Sequence, residues 1–137
     1  MLTSAWIESQ PESRLRFPGA SVLHSDSREE EPVDPGDPQQ TSAYVRAFLS
    51  APADRETVAQ WYGDQLEQLR WRLARAPLDH PQHYRRYRRD NLAFNLFLYD
   101  RSPFDRDGMG APGPAAFRVG HTVHQLFLEG RENGFSD

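Results

Sequence analysis

The 137-residue sequence contains no cysteine and, because all sixteen of its basic residues are arginine, no lysine. Without cysteine there is no disulfide, no thiolate nucleophile, no zinc–thiolate site and no iron–sulfur cluster. Without lysine there is no Schiff-base chemistry and no Walker-type phosphate loop. No apolar run approaches the roughly 20 residues that cross a bilayer as a helix, so no membrane partner is expected. Neither G-x-S-x-G nor H-E-x-x-H occurs, and no G-x-G-x-x-G leads into a helix. The N-terminus lacks a basic start and an apolar run of signal-peptide length, which places the chain in the cytoplasm as an expectation. Arginine in place of lysine, with frequent alanine, proline and aspartate, reads as the codon bias of a GC-rich bacterial genome.

What is present fits one domain with one core. The mean hydropathy of −0.80 is polar for a globular chain, so part of it is expected outside the packed region. The formal charge of −4 gives no general attraction to nucleic acid, and that class of partner is expected only through a local basic patch.

The clearest local signal is the stretch from Asp54 to Arg70. Asp54 can cap a helix by accepting from the amide of Glu56 or Thr57. Val58, Trp61, Tyr62, Leu66 and Leu69 then recur at spacings of three and four, with Asp64, Glu67 and Gln68 opposite. Gly63 lowers helix propensity by about 1 kcal/mol relative to alanine. Its place at the flank of the apolar stripe predicts a close approach by a neighbouring element. Strands are expected over Ser21–Ser25, Thr41–Ser50, a short piece after Trp71 ended by Pro77, a hairpin of Tyr84–Arg89 with Leu92–Tyr99, and Phe117–Leu128. Within the hairpin Leu92, Phe94, Leu96 and Leu98 repeat at every second residue. Residues 1–14 read as an N-terminal arm, 26–40 as an acidic proline-rich loop, 102–114 as a glycine-rich loop and 129–137 as a polar tail. The resulting fold class is α+β, an antiparallel sheet of about five strands with one main helix packed on one face, within a single domain over residues 15–128.

The run Phe17-Pro18-Gly19-Ala20, followed by Val58, Trp61-Tyr62, Leu66 and Trp71, resembles a group of small α+β proteins of unknown function from actinobacteria and other GC-rich bacteria. The charged hairpin RRDNLAFNLFLYD is similar to theirs as well. Many members of that group are exported lipoproteins, whereas this chain has no cysteine to carry a lipid. Arg70 stands where the group has glycine before the tryptophan, which implies a helix without its usual C-terminal stop. The resemblance implies the fold and no activity.

Three sets of residues are candidates for function. A sheet covered by one helix has a second face, where Tyr44, Phe48, Phe97 and Tyr99 would gather as a protein-binding surface. The basic stretch Tyr84, Arg85, Arg86, Tyr87, Arg88 and Arg89 interleaves cations with rings, as single-stranded nucleic-acid surfaces do. A strand divides it, with Tyr84, Arg86 and Arg88 on one side and Arg85, Tyr87 and Arg89 on the other, so no single face collects all the charge. Finally His80 and His83 beside Asp79, and His121 with His124, have spacings that could offer imidazoles to a divalent metal. The expected function is a non-enzymatic protein-binding module, immunity- or inhibitor-like, without cofactor, using another protein or a second copy of itself through the aromatic face or the sheet edge. A histidine-based metal protein or enzyme and nucleic-acid binding are the alternatives.

Overall fold

A computed structural model describes residues 3–29, 42–75, 84–99 and 120–131. A short helix α1 (Ser4–Glu8) and a 3₁₀ turn (Pro11–Arg14) precede β1 (Ser21–Arg28) and β2 (Ala43–Ala51). Helix α2 (Arg55–Gln68) follows, then β3 (Arg72–Arg75), β4 (Tyr84–Arg89), β5 (Leu92–Tyr99) and β6 (Thr122–Gly130). The six strands form one sheet in the order β1-β2-β6-β5-β4-β3, and every neighbouring pair is antiparallel. The class is α+β as expected, with one strand more than anticipated and a second, short helix. Strands β3 to β6 form a meander, and α2 carries the chain from β2 across one face to β3 at the far edge.

The two faces follow from the period of two. Val45, Ala47 and Leu49 of β2, Leu126 and Leu128 of β6, and the four leucine and phenylalanine positions of β5 from Leu92 to Leu98 point to the face that α2 covers. Asp54 caps α2 through a 2.8 Å bond from the Thr57 amide. The stripe that α2 buries is Val58, Ala59, Tyr62 and Leu66. Trp61 lies at its flank, edge-on to Phe17 at 5.6 Å, and Leu69 is exposed at the helix end. The aromatic pair is thus divided between two partners, the sheet for Tyr62 and the N-terminal segment for Trp61.

The helix does have its stop. Arg70 takes the left-handed conformation, φ 68°. The Trp71 amide donates to the Leu66 carbonyl and the Arg70 amide to the Glu67 carbonyl. These are the two bonds of a Schellman motif, with arginine in the position that glycine usually fills. An L-residue in this conformation costs about 1–2 kcal/mol. Arg70→Gly is therefore expected to raise stability by about 1 kcal/mol, read as a higher urea midpoint with unchanged slope. A destabilised variant would refute this account of the stop.

The N-terminal residues expected as an arm belong to the core. Ile7 and Glu12 are buried, and Leu15 and Phe17 pack against the main cluster. Pro18-Gly19 forms the expected turn, with Gly19 at φ 82° and a bond from the Ala20 amide to the Phe17 carbonyl. Asp26 to Arg28, assigned to the acidic loop by composition, instead complete β1 opposite Tyr44 and Arg46. The remainder of that loop, the glycine-rich loop and the end of the tail lie outside the described residues, whereas Glu129 and Gly130 end β6.

Candidate functional site

The residues singled out by sequence fall into three environments. Tyr44, Phe48, Phe97 and Tyr99 do share the face away from α2. That face is filled rather than open. Phe48 is only 2 % exposed, and the other three are half-buried. Tyr44 lies 4.9 Å from Phe127 under the guanidinium groups of Arg28 and Arg46, and Phe97 lies 4.8 Å from Tyr84. The Tyr99 hydroxyl donates to Gln125 at 2.7 Å, and burial pushes its phenol up to about 12. Arg46 pairs with Asp26, and Arg86 donates to Asn95 at 2.8 Å and to Glu129 at 3.2 Å. Asn95 in turn accepts from Tyr84 and donates to Glu129 and to the Phe127 carbonyl. Aromatic and charged groups on this face thus satisfy one another.

The basic strand divides as its period requires. Tyr84, Arg86 and Arg88 point to the outer face, and Arg85, Tyr87 and Arg89 to the side of α2. Arg89 is a structural clamp. It bonds the buried Glu12 carboxylate at 2.7 Å, donates to the Leu69 carbonyl at the helix end, and lies 4.9 Å over the Trp71 ring. Trp71 itself donates its indole N–H to the same carboxylate. These contacts pin the N-terminal segment, the end of α2, β3 and β4 together, a role that the spacing of the arginines did not reveal.

Of the histidines, His124 is fully buried on the core side of β6, and His121 precedes the strand, half-buried. His124 Nε2 lies 2.8 Å from the Tyr62 hydroxyl, which also accepts from the Phe17 amide at 3.0 Å. Which of the two donates in this contact depends on the tautomer of the imidazole. Burial lowers the His124 pKa to about 4, offset in part by the Thr122 backbone, and raises the Tyr62 phenol to about 12. The pair is a packed polar contact in the core, which takes His124 out of the metal reading. Asp79, His80 and His83 lie outside the described residues. Among the described residues no three acidic or histidine side chains gather as a metal site.

A concave feature lies elsewhere. Helix α2 packs over β5, and between its flank and the neighbouring parts of β3 and β4 lies a cleft of about 600 Å³. One wall is the flank of α2, with Glu56, Gln60, Gly63, Asp64 and Glu67. The other is Arg72 and Leu73 of β3 with Arg85 and Tyr87 of β4. Leu73 is 54 % exposed although its cross-strand partner, Tyr87, faces the core side. Gly63 has the close neighbour its position predicts, since a Cβ there would lie 3.1 Å from the Tyr87 hydroxyl. Burial raises the Tyr87 phenol, the Arg85 guanidinium opposes that shift, and Glu67 and Asp64 add to it. The helix wall thus carries carboxylates, and the Arg85 guanidinium stands opposite them on the strand wall. The sequence pattern set Asp64 and Glu67 opposite the apolar stripe and did not single out Glu56, Arg72 or Leu73. The available signal was one leucine among the arginines of Trp71-Arg72-Leu73-Ala74-Arg75.

Fold and site together define a small α+β protein in which, among the described residues, β3 ends the sheet beside the cleft along the flank of α2. Among the described residues no helix is long and apolar enough to cross a membrane. The chain matches no family model, no curated protein and no solved structure.

Proposed function

We propose that this chain is a non-enzymatic protein-binding module of the bacterial cytoplasm that takes an extended segment of another protein as an added strand beside β3. The observation that carries this reading is that β3 ends the sheet with all four residues exposed and with Leu73 over the cleft. An edge strand offers a row of unpaired amides and carbonyls, and a groove between edge and helix receives alternate side chains of a bound peptide. The other edge, β1, carries a register shift between Val22 and His24, and its far end is tied to the N-terminus by Ser4 bonding Glu29.

Charge favours another protein over a second copy. In the antiparallel register that pairs all four residues, β3 against β3 sets Arg72 opposite Arg75 of the other copy, twice. Like charges directly opposite destabilise a strand pair.

Peptides selected from an unbiased random library provide the test. Bound peptides are expected to shift and protect the amides of β3 in NMR spectra. Leu73→Asp is expected to weaken them by at least about tenfold with the melting temperature unchanged, since the side chain is exposed. Peptides that map to Tyr44, Phe97 and Tyr99, or that bind the Leu73→Asp variant as well as the parent, would sink this reading.

A further inference from the structure

We infer that the strand received at β3 is acidic on one side and apolar on the other, with two carboxylates flanking one aliphatic residue. This rests on the edge-binding reading above and names the chemistry of its partner. The register between β3 and β4 sets Arg72 opposite Arg88 and Arg75 opposite Arg86. Two like-charge pairs thus stand side by side on the outer face at the end of the sheet, an arrangement that weakens strand pairing unless anions answer it. Arg86 is answered by Glu129 and Asn95. Arg72 and Arg75 are exposed and have no ion pair among the described residues, and Arg70 is exposed beside them at the helix end. A strand added at this edge would place its outward side chains next to Arg72 and Arg75.

The spacing follows from the register. The irregularity between Leu73 and Arg75 brings Arg72 and Arg75 to one side although they are three apart in sequence. On β4 their partners, Arg88 and Arg86, are two apart, and a strand on the free side meets the same geometry with carboxylates in place of arginines. The residue between those carboxylates turns inward. It would meet Leu73, which is exposed beside the cleft and offers an apolar contact suited to valine or leucine.

A single-stranded nucleic acid would also answer the exposed Arg70, Arg72 and Arg75, but it fits less of what is present. It leaves the edge amides and carbonyls of β3 unpaired. The rings of the basic strand are committed too, Tyr84 to Phe97 and Asn95, and Tyr87 to the core cluster.

The experiment compares three labelled probes by fluorescence anisotropy: a peptide with a glutamate-valine-glutamate core, its lysine-valine-lysine counterpart, and oligothymidylate. The glutamate peptide is expected to bind at least about tenfold more tightly than the lysine peptide and to weaken as salt is added. In the double variant Arg72→Glu/Arg75→Glu, with melting temperature checked, the preference is expected to reverse. Equal binding of both peptides, or a glutamate preference that survives the double variant, overturns the inference. So does tighter binding of oligothymidylate than of the glutamate peptide. If neither peptide binds, the inference also falls, and the random library then separates the two claims. Library peptides at β3 without acidic preference keep the edge reading, and their absence removes both.

Discussion

Arg89→Ala is expected to cost about 3 kcal/mol of stability, a fall in melting temperature of roughly 10 °C for a chain of this size. The side chain looks like one more surface arginine in a basic strand, yet its partner Glu12 has a fully buried carboxylate. Removing the guanidinium leaves that charge in the interior with only the Trp71 indole N–H, 3.2 Å away, to answer it. Breaking a buried pair from one side is more damaging than removing both charges, because the surviving ion keeps its desolvation cost. Glu12→Gln combined with Arg89→Met should therefore recover most of the loss, as the amide still accepts from Trp71 and no ion remains. A double-mutant cycle in urea reads the coupling. Effects that simply add, or an Arg89→Ala protein as stable as the parent, would show that the clamp contributes nothing.

Acidification supplies the second large effect. His124 titrates near 6.5 in the unfolded chain and near 4 in the folded one, because burial disfavours the imidazolium. Between those values the unfolded state binds a proton that the folded state refuses, so stability present at neutral pH is lost as pH falls. The loss reaches up to about 3 kcal/mol from this one group at about 1.4 kcal/mol per pH unit. The nearby charged group is Arg16, held by the Ser13 and Leu15 carbonyls, which adds to the penalty for a second positive charge. Carboxylates titrate at the lower end of the same range, so the readout is the difference between the parent and His124→Gln, which keeps an acceptor for Tyr62. Urea midpoints measured from neutral to acid pH should fall more steeply for the parent. Parallel curves, or an imidazole that titrates near its ordinary value by NMR, would contradict this assignment.

Much of the architecture was legible because it depends on residues close together in the chain. Asp54 announced the helix start, the alternation from Leu92 to Leu98 announced β5, and Pro18-Gly19 announced its turn. The sequence also divided the basic strand into its two faces, since that follows from the period of two alone. The stop of α2 was misread for a specific reason. Arg70 in a left-handed conformation is unfavourable by itself, and it is held there by bonds from its own amide and that of Trp71 to carbonyls one turn back. The N-terminal segment was misread because Ile7 and Glu12 show no period, and what buries them comes from β2, β4 and the end of α2.

By itself the sequence determined the main helix and the strands, the apolar side of the clearest of them, and the absence of cysteine and lysine chemistry. Only the tertiary structure decided which strands lie at the edges, which arginine is a clamp, and which flank of α2 borders a cleft. The physical reason is the range of the interactions. Caps, turns and periodicities act over a few residues, whereas strand order rests on pairings such as Ala43 with Gly130, made when β2 and β6 bury their inner faces together. That pairing closes the centre of the sheet and leaves β3, with Leu73 and its arginines, at the free edge.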